Sequence, residues 1–108
     1  MHIIKVTDEA IIFDNGCEIT YDHDQDCCEY NWADFSVLTP DVINYDYDFP
    51  KNLKFRGVAE AGFKFGCPGH WIFIPCYSDQ NGYYSSDIDI YFSGKHVLNF
   101  NAEMREDY

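Results

Sequence analysis

The sequence predicts a mainly β, single-domain antiparallel β-sandwich or barrel of roughly seven to nine short strands, with at most one or two short helices. Three observations carry that expectation. Apolar and polar residues alternate with period two in short segments, and turn residues separate those segments at regular spacing. Aromatic residues make up 19% of the chain, with nine Phe, nine Tyr and two Trp. Such side chains suit pleated, half-buried surfaces. Finally, 108 residues are enough for one core and leave no room for a second, so residues 1–108 are read as one domain.

Taken in order, Ile3 to Val6 reads as a first strand and Glu9 to Asp14 as a second. Asn15-Gly16 then offers the two positive-φ residues of a type I′ hairpin turn. The return strand places Cys17, Ile19 and Tyr21 on one face and Glu18, Thr20 and Asp22 on the other. Continuing that period puts His23 on the apolar side. Trp32 to Leu38 is expected as a strand, and Thr39-Pro40-Asp41 as the start of a helix of one or two turns. Asn44 to Phe49 alternates Tyr45, Tyr47 and Phe49 with Asp46 and Asp48, and Pro50 ends it. Ala59, Ala61, Phe63 and Phe65 share one parity before a turn at Gly66-Cys67-Pro68-Gly69. Trp71 to Tyr77, apolar on both faces, suits a central strand. Ser78 to Gly82 reads as a loop. Asp87 to Phe92 alternates cleanly with Ile88, Ile90 and Phe92 inward, and Ser93-Gly94-Lys95 turns the chain into His96 to Phe100. Asn101 to Tyr108 is expected as a short helix or a frayed tail.

A formal charge of −12, from 19 acids against 7 bases, excludes an ordinary nucleic-acid binder, whose affinity rests on Lys and Arg displacing counterions. Anionic membranes are disfavoured for the same reason. The N-terminal residues lack the apolar run of a signal peptide, and five Cys cannot all pair within one chain. Both point to reduced thiols and a cytoplasmic location.

Residues 21–32 gather one His, three Asp, one Glu and two adjacent Cys, and no other window is so rich in groups able to ligate, attack or move a proton. Asp22, Asp24 and Asp26 have the first spacings of a calcium loop, but Cys27 stands where that loop turns on Gly, and Ala33 where it needs a bidentate Glu. His23, Cys27, Cys67 and His70 together form a zinc-like set of two imidazoles and two thiolates, although the spacing departs from common zinc patterns. The plain alternative for these thiols is packing as small hydrophobes. Cys27 or Cys28 as a nucleophile would need His23 or His70 beside it and Asp26 or Glu29 to orient that base. The surrounding carboxylates oppose this by raising the thiol pKa. Asn81-Gly82-Tyr83-Tyr84-Ser85 reads as a hairpin with aromatic shoulders.

The stretch His23-Asp24-Gln25-Asp26-Cys27-Cys28-Glu29 together with Asn81-Gly82-Tyr83-Tyr84-Ser85 resembles a family of small bacterial and phage proteins of uncharacterised function. That family is marked by His-x-Gln-Asp-Cys-Cys-Glu and, later, Asn-Gly-Tyr-Tyr-Ser. The resemblance implies that His23, Gln25, Asp26, Cys27, Cys28, Glu29, Asn81, Tyr83 and Tyr84 form one shared feature, and it implies no cofactor or reaction. The expectation is a small acidic, non-enzymatic binding or accessory domain with these residues as a polar patch toward a protein partner of basic character, in a monomer or homodimer. Two alternatives stand beside it: an acidic inhibitor that imitates nucleic acid, with carboxylates at the phosphate repeat of about 7 Å, and a structural zinc domain.

Overall fold

The computed structural model describes residues 1–22, 30–79 and 86–105. It is a mainly β sandwich of two sheets, as the alternating segments predict. The first sheet has the order β1-β2-β3-β8-β9 and is antiparallel throughout. Its strands are β1 (Ile3–Val6), β2 (Ala10–Phe13), β3 (Glu18–Asp22), β8 (Asp87–Phe92) and β9 (Lys95–Asn101). The second runs β10-β7-β6-β5, with β4 also paired to β7. It comprises β4 (Tyr30–Ala33), β5 (Lys54–Val58), β6 (Gly62–Cys67), β7 (His70–Asp79) and β10 (Glu103–Arg105).

The inner faces meet in one apolar core. Ile11, Phe13, Ile19, Ile88 and Ile90 from the first sheet pack on Phe63, Phe65, Ile74 and Cys76 from the second, all fully buried. Tilted aromatic pairs join the layers, Phe63 with Phe100 at 5.9 Å and Phe55 with Phe92 at 5.6 Å, while Phe13 meets Phe49 of the following connector edge-on at 5.9 Å and 81°. The connector from Phe35 to Phe49 closes one side of the core through Phe35, Leu38, Ile43 and Phe49.

Several local expectations are corrected. Ten strands are present among the described residues, more than the roughly seven to nine expected. The first hairpin is not a type I′ turn, because Asn15 keeps a negative φ and only Gly16 is left-handed, at 87°. Gly16 N–H donates to Phe13 O and Phe13 N–H to Cys17 O, the geometry of a three-residue loop ending in a glycine bulge. The two-residue turn with both φ positive falls instead at Ser93 (51°) and Gly94 (83°).

The strand from Trp32 stops at Ala33. The Asp34 side chain accepts from Ser36 N–H and caps a single 3₁₀ turn over Phe35–Val37. Thr39-Pro40-Asp41 makes one turn only, in which Val42 and Ile43 both donate to Thr39 O. Asn44 to Phe49 is not a strand: the Asn44 side chain accepts from Asp46 N–H, and Phe49 N–H donates to Met1 O. Ser78 and Asp79 extend β7 and are not loop. The tail is neither helix nor frayed through Arg105, because it adds to β7 as the one parallel pair among the described strands. Among the described residues no helix is long and apolar enough to cross a membrane.

Candidate binding end

Every residue of the expected polar patch, His23, Gln25, Asp26, Cys27, Cys28, Glu29, Asn81, Tyr83 and Tyr84, lies outside the described residues. The chain ends that carry these two segments are described, and they converge. Tyr30, where β4 begins, is the register partner of Asp79, where β7 ends. Asp22, the last residue of β3, pairs with Asp89 in β8. Asn31 Nδ2 donates to Asp87 O at 3.1 Å and ties β4 of one sheet to β8 of the other. Asn31 Oδ1 accepts from the Ser78 hydroxyl. Asn31 and Ser78 are the two fully buried polar residues among those described, so this link is part of the core. Beside it, Asp79 Oδ1 is shut off from solvent and has no hydrogen-bond partner among the described residues.

A cleft of about 220 Å³ opens next to this junction, lined by Tyr21, Tyr30, Trp32, Asp8, Asp34 and Ser36 among others. Strand alternation aims Tyr30 and Trp32 outward from β4, since Asn31 and Ala33 between them are buried. Their rings stack with centroids 5.1 Å apart, and Trp32 leans on Tyr77 at 5.4 Å. Tyr21 sits edge-on to Phe35 at 5.8 Å. Burial, and then the neighbouring Tyr30 phenol, push the Tyr21 hydroxyl up to about 12. It is therefore a neutral hydrogen-bonding group at any ordinary pH. Two carboxylates, Asp8 and Asp34, join flat aromatic walls, and among the described residues no Lys or Arg lines the cleft. Such a lining suits a cation, which gains charge-assisted hydrogen bonds from the acids and face-on attraction from the rings.

No family model matches the chain, and no curated protein or solved structure matches it.

The described half of the zinc-like set has other work. Cys67 and His70 are register partners across the β6–β7 turn. Tyr47 shares a hydrogen bond between its hydroxyl and Cys67 Sγ at 3.2 Å, and its ring lies flat on His70 with centroids 3.6 Å apart. The bond to Cys67 is the main cause that raises the Tyr47 pKa. Among the described residues no three His, Cys, Asp or Glu side chains group as a metal site. His23 and Cys27 lie outside them.

A small acidic patch lies on the outer face of the first sheet. Asn99 Nδ2 donates to both Asp87 Oδ2 (3.2 Å) and Asp89 Oδ1 (2.9 Å), and His96 Nε2 also reaches Asp89 Oδ1 at 2.9 Å. The sequence reading missed Asp8, Asp34 and Ser36 as site residues, because they enter from two separate loops. The available signal was Tyr21, Tyr30 and Trp32 flanking the motif directly.

Proposed function

We propose that the protein is a small, non-enzymatic, cytoplasmic binding domain of bacterial or phage origin that holds a Lys- or Arg-bearing segment of a partner protein. The resemblance of its two motifs supports that origin. The observation that supports the reading is the Tyr30–Asp79 register pair, which brings the described residue after the first motif opposite the last described residue before the second, beside the aromatic and acidic cleft. A charge of −12 steers a basic partner toward the molecule, and the cleft supplies local recognition.

The test is titration of the protein with a short arginine-rich peptide, followed by Trp fluorescence, against a control peptide with Gln at each Arg. Saturable binding that weakens with salt and is lost in Trp32→Ala and Asp34→Asn is expected. No binding at millimolar peptide, or equal binding of the control, would remove the proposal.

A second reading has one observation in its favour. Asp87 and Asp89, two residues apart on β8, have side chains about 7 Å apart along the strand, and Asp22 faces Asp89. This is the scale of the phosphate repeat along a nucleic-acid strand. Displacement of DNA from a basic DNA-binding protein would favour mimicry, and the double variant Asp87→Asn, Asp89→Asn should then abolish it.

A further inference from the structure

β7 is the central strand of its sheet, yet one of its edges is bare from His70 to Ile74. On one side β6 covers it from His70 to Pro75. On the other side β4 covers only Cys76 to Asp79, and the last contact is Asp34 N–H donating to Pro75 O at 2.9 Å. Successive residues of a strand aim their backbone groups to opposite sides. Cys76 N–H donates toward β6, to Ala61 O, while Pro75 O accepts from the β4 side. Trp71 and Phe73 share the parity of Pro75, so their N–H and C=O groups point to the uncovered side. They have no partner there among the described residues.

Those groups face a groove of about 460 Å³, whose far wall is Val37, Leu38, Val42 and Asn44. Val42 is 66% exposed and Phe73 45%. The Tyr47 ring stacked on His70 stands at one end, and β4 begins to cover β7 at the other. A second feature lies on the same strand. Arg56 Cζ and Lys64 Nζ sit 5.5 and 5.2 Å from the Trp71 ring centroid, and these two cations are themselves register partners. Like charges directly opposite each other are unfavourable. Neither has a carboxylate partner among the described residues, in a chain with 19 acids.

We propose that this groove receives an extended peptide segment of a partner protein, pairing with Trp71 and Phe73 and carrying a carboxylate opposite Trp71. Only an extended backbone supplies donors and acceptors at strand spacing to a bare edge. The peptide residue opposite Trp71 projects its side chain to the same outer face, where Arg56 and Lys64 neutralise an acid. Its neighbours in sequence point inward onto Val37, Leu38 and Val42, which selects apolar side chains. The recognised pattern is apolar–acidic–apolar, on a surface separate from the cleft at the binding end.

The experiment uses the ¹⁵N-labelled full chain and the peptide acetyl-Thr-Val-Glu-Val-Thr-amide, with a Lys-for-Glu counterpart. The Glu peptide should shift the Trp71 and Phe73 amides saturably and slow their hydrogen exchange. The Lys peptide should bind about fivefold more weakly, the scale of an exposed ion pair. Val42→Trp, at an exposed side chain that leaves the core intact, should fill the groove and abolish both effects. Phe73→Pro should abolish them by removing one donor while sparing the β6 ladder. Unmoved amides at millimolar peptide, or shifts undiminished in Val42→Trp, would overturn the proposal. Protection of the same amides that rises with protein concentration alone would also overturn it, by giving the groove to a second copy.

Discussion

Tyr30 and Asp79 face each other across the β4–β7 ladder, so the chain returns from residues 23–29 at the point where it departs for residues 80–85. The meeting of these two described chain ends thus depends on one short antiparallel pairing. The buried Asn31–Ser78 contact lies one residue further in and holds that pairing to both sheets.

Replacing Asn31 tests this dependence. Asn31→Leu keeps the volume but deletes the bond to Asp87 O and the acceptor for Ser78, both in the interior. A loss of about 1–3 kcal/mol is expected for removing one partner from a buried polar contact. Urea denaturation should show a lower midpoint with an unchanged slope. Binding of the arginine-rich peptide should fall as well, because β4 positions Tyr30 and Trp32. Unchanged stability would mean that the strand pairing alone aligns the two roots.

The pattern of what could be read from the chain has a physical basis. Strands with a buried face, such as Asp87–Phe92, announced themselves because Ile88 and Ile90 must go inward. Asn44–Phe49 carries the same alternation, yet the Asn44 side chain closes a local turn more cheaply than the segment finds a strand partner. β5 escaped notice because Lys54, Arg56 and Val58 all face water and only Phe55 marks an inner face. β10 depends on a parallel pairing with β7, which no local pattern encodes. At the site, the flanking tyrosines were visible, whereas Asp8 and Asp34 joined them only through the tertiary fold.

Thiol accessibility separates the described cysteines. Cys76 is fully buried, and its surroundings push its thiol well above the ordinary range, burial first and the Asp34 charge second. Cys17 and Cys67 are half-buried and free. Alkylation of native protein at pH 8, mapped by mass spectrometry, should label Cys17 and Cys67 within the time in which Cys76 stays unmodified. Cys76 should react only on denaturation. Rapid native labelling of Cys76 would contradict its place in the core.

Tyr21 sets an alkaline limit. Its phenol has a folded pKa of about 12, against 10.0 for an ordinary tyrosine. A group whose folded pKa is raised contributes fully below its unfolded value, and the contribution is lost as pH climbs toward the folded one. Stability should therefore decline from about pH 10 to about pH 12 with a component that Tyr21→Phe removes. Absorbance titration near 295 nm should show one phenol fewer in the late-ionising phase of Tyr21→Phe than in that of wild type, where Tyr47 is also raised. An identical alkaline profile in Tyr21→Phe would show that this hydroxyl does not control the decline.

A close backbone approach lies under the strand that serves both proposed surfaces. A Cβ placed on Gly62 would stand 2.1 Å from Ile74 O and 2.9 Å from Pro75 Cα, both main-chain atoms of β7. β7 cannot retreat, since β6 and β10 flank it on one side and β4 on the other. Gly62→Ala should therefore cost at least the 1–3 kcal/mol, roughly, of an overpacked core. Gly16→Ala provides the contrast, because nothing lies within 4 Å of its Cβ and only its left-handed φ of 87° opposes a side chain. That strain is worth about 1–2 kcal/mol. Thermal melts should rank wild type above Gly16→Ala, and Gly16→Ala above Gly62→Ala. The last should also loosen the Trp71–Phe73 edge, read as faster amide exchange there. Equal melting temperatures for the two variants would show that β6 can shift along β7 to make room.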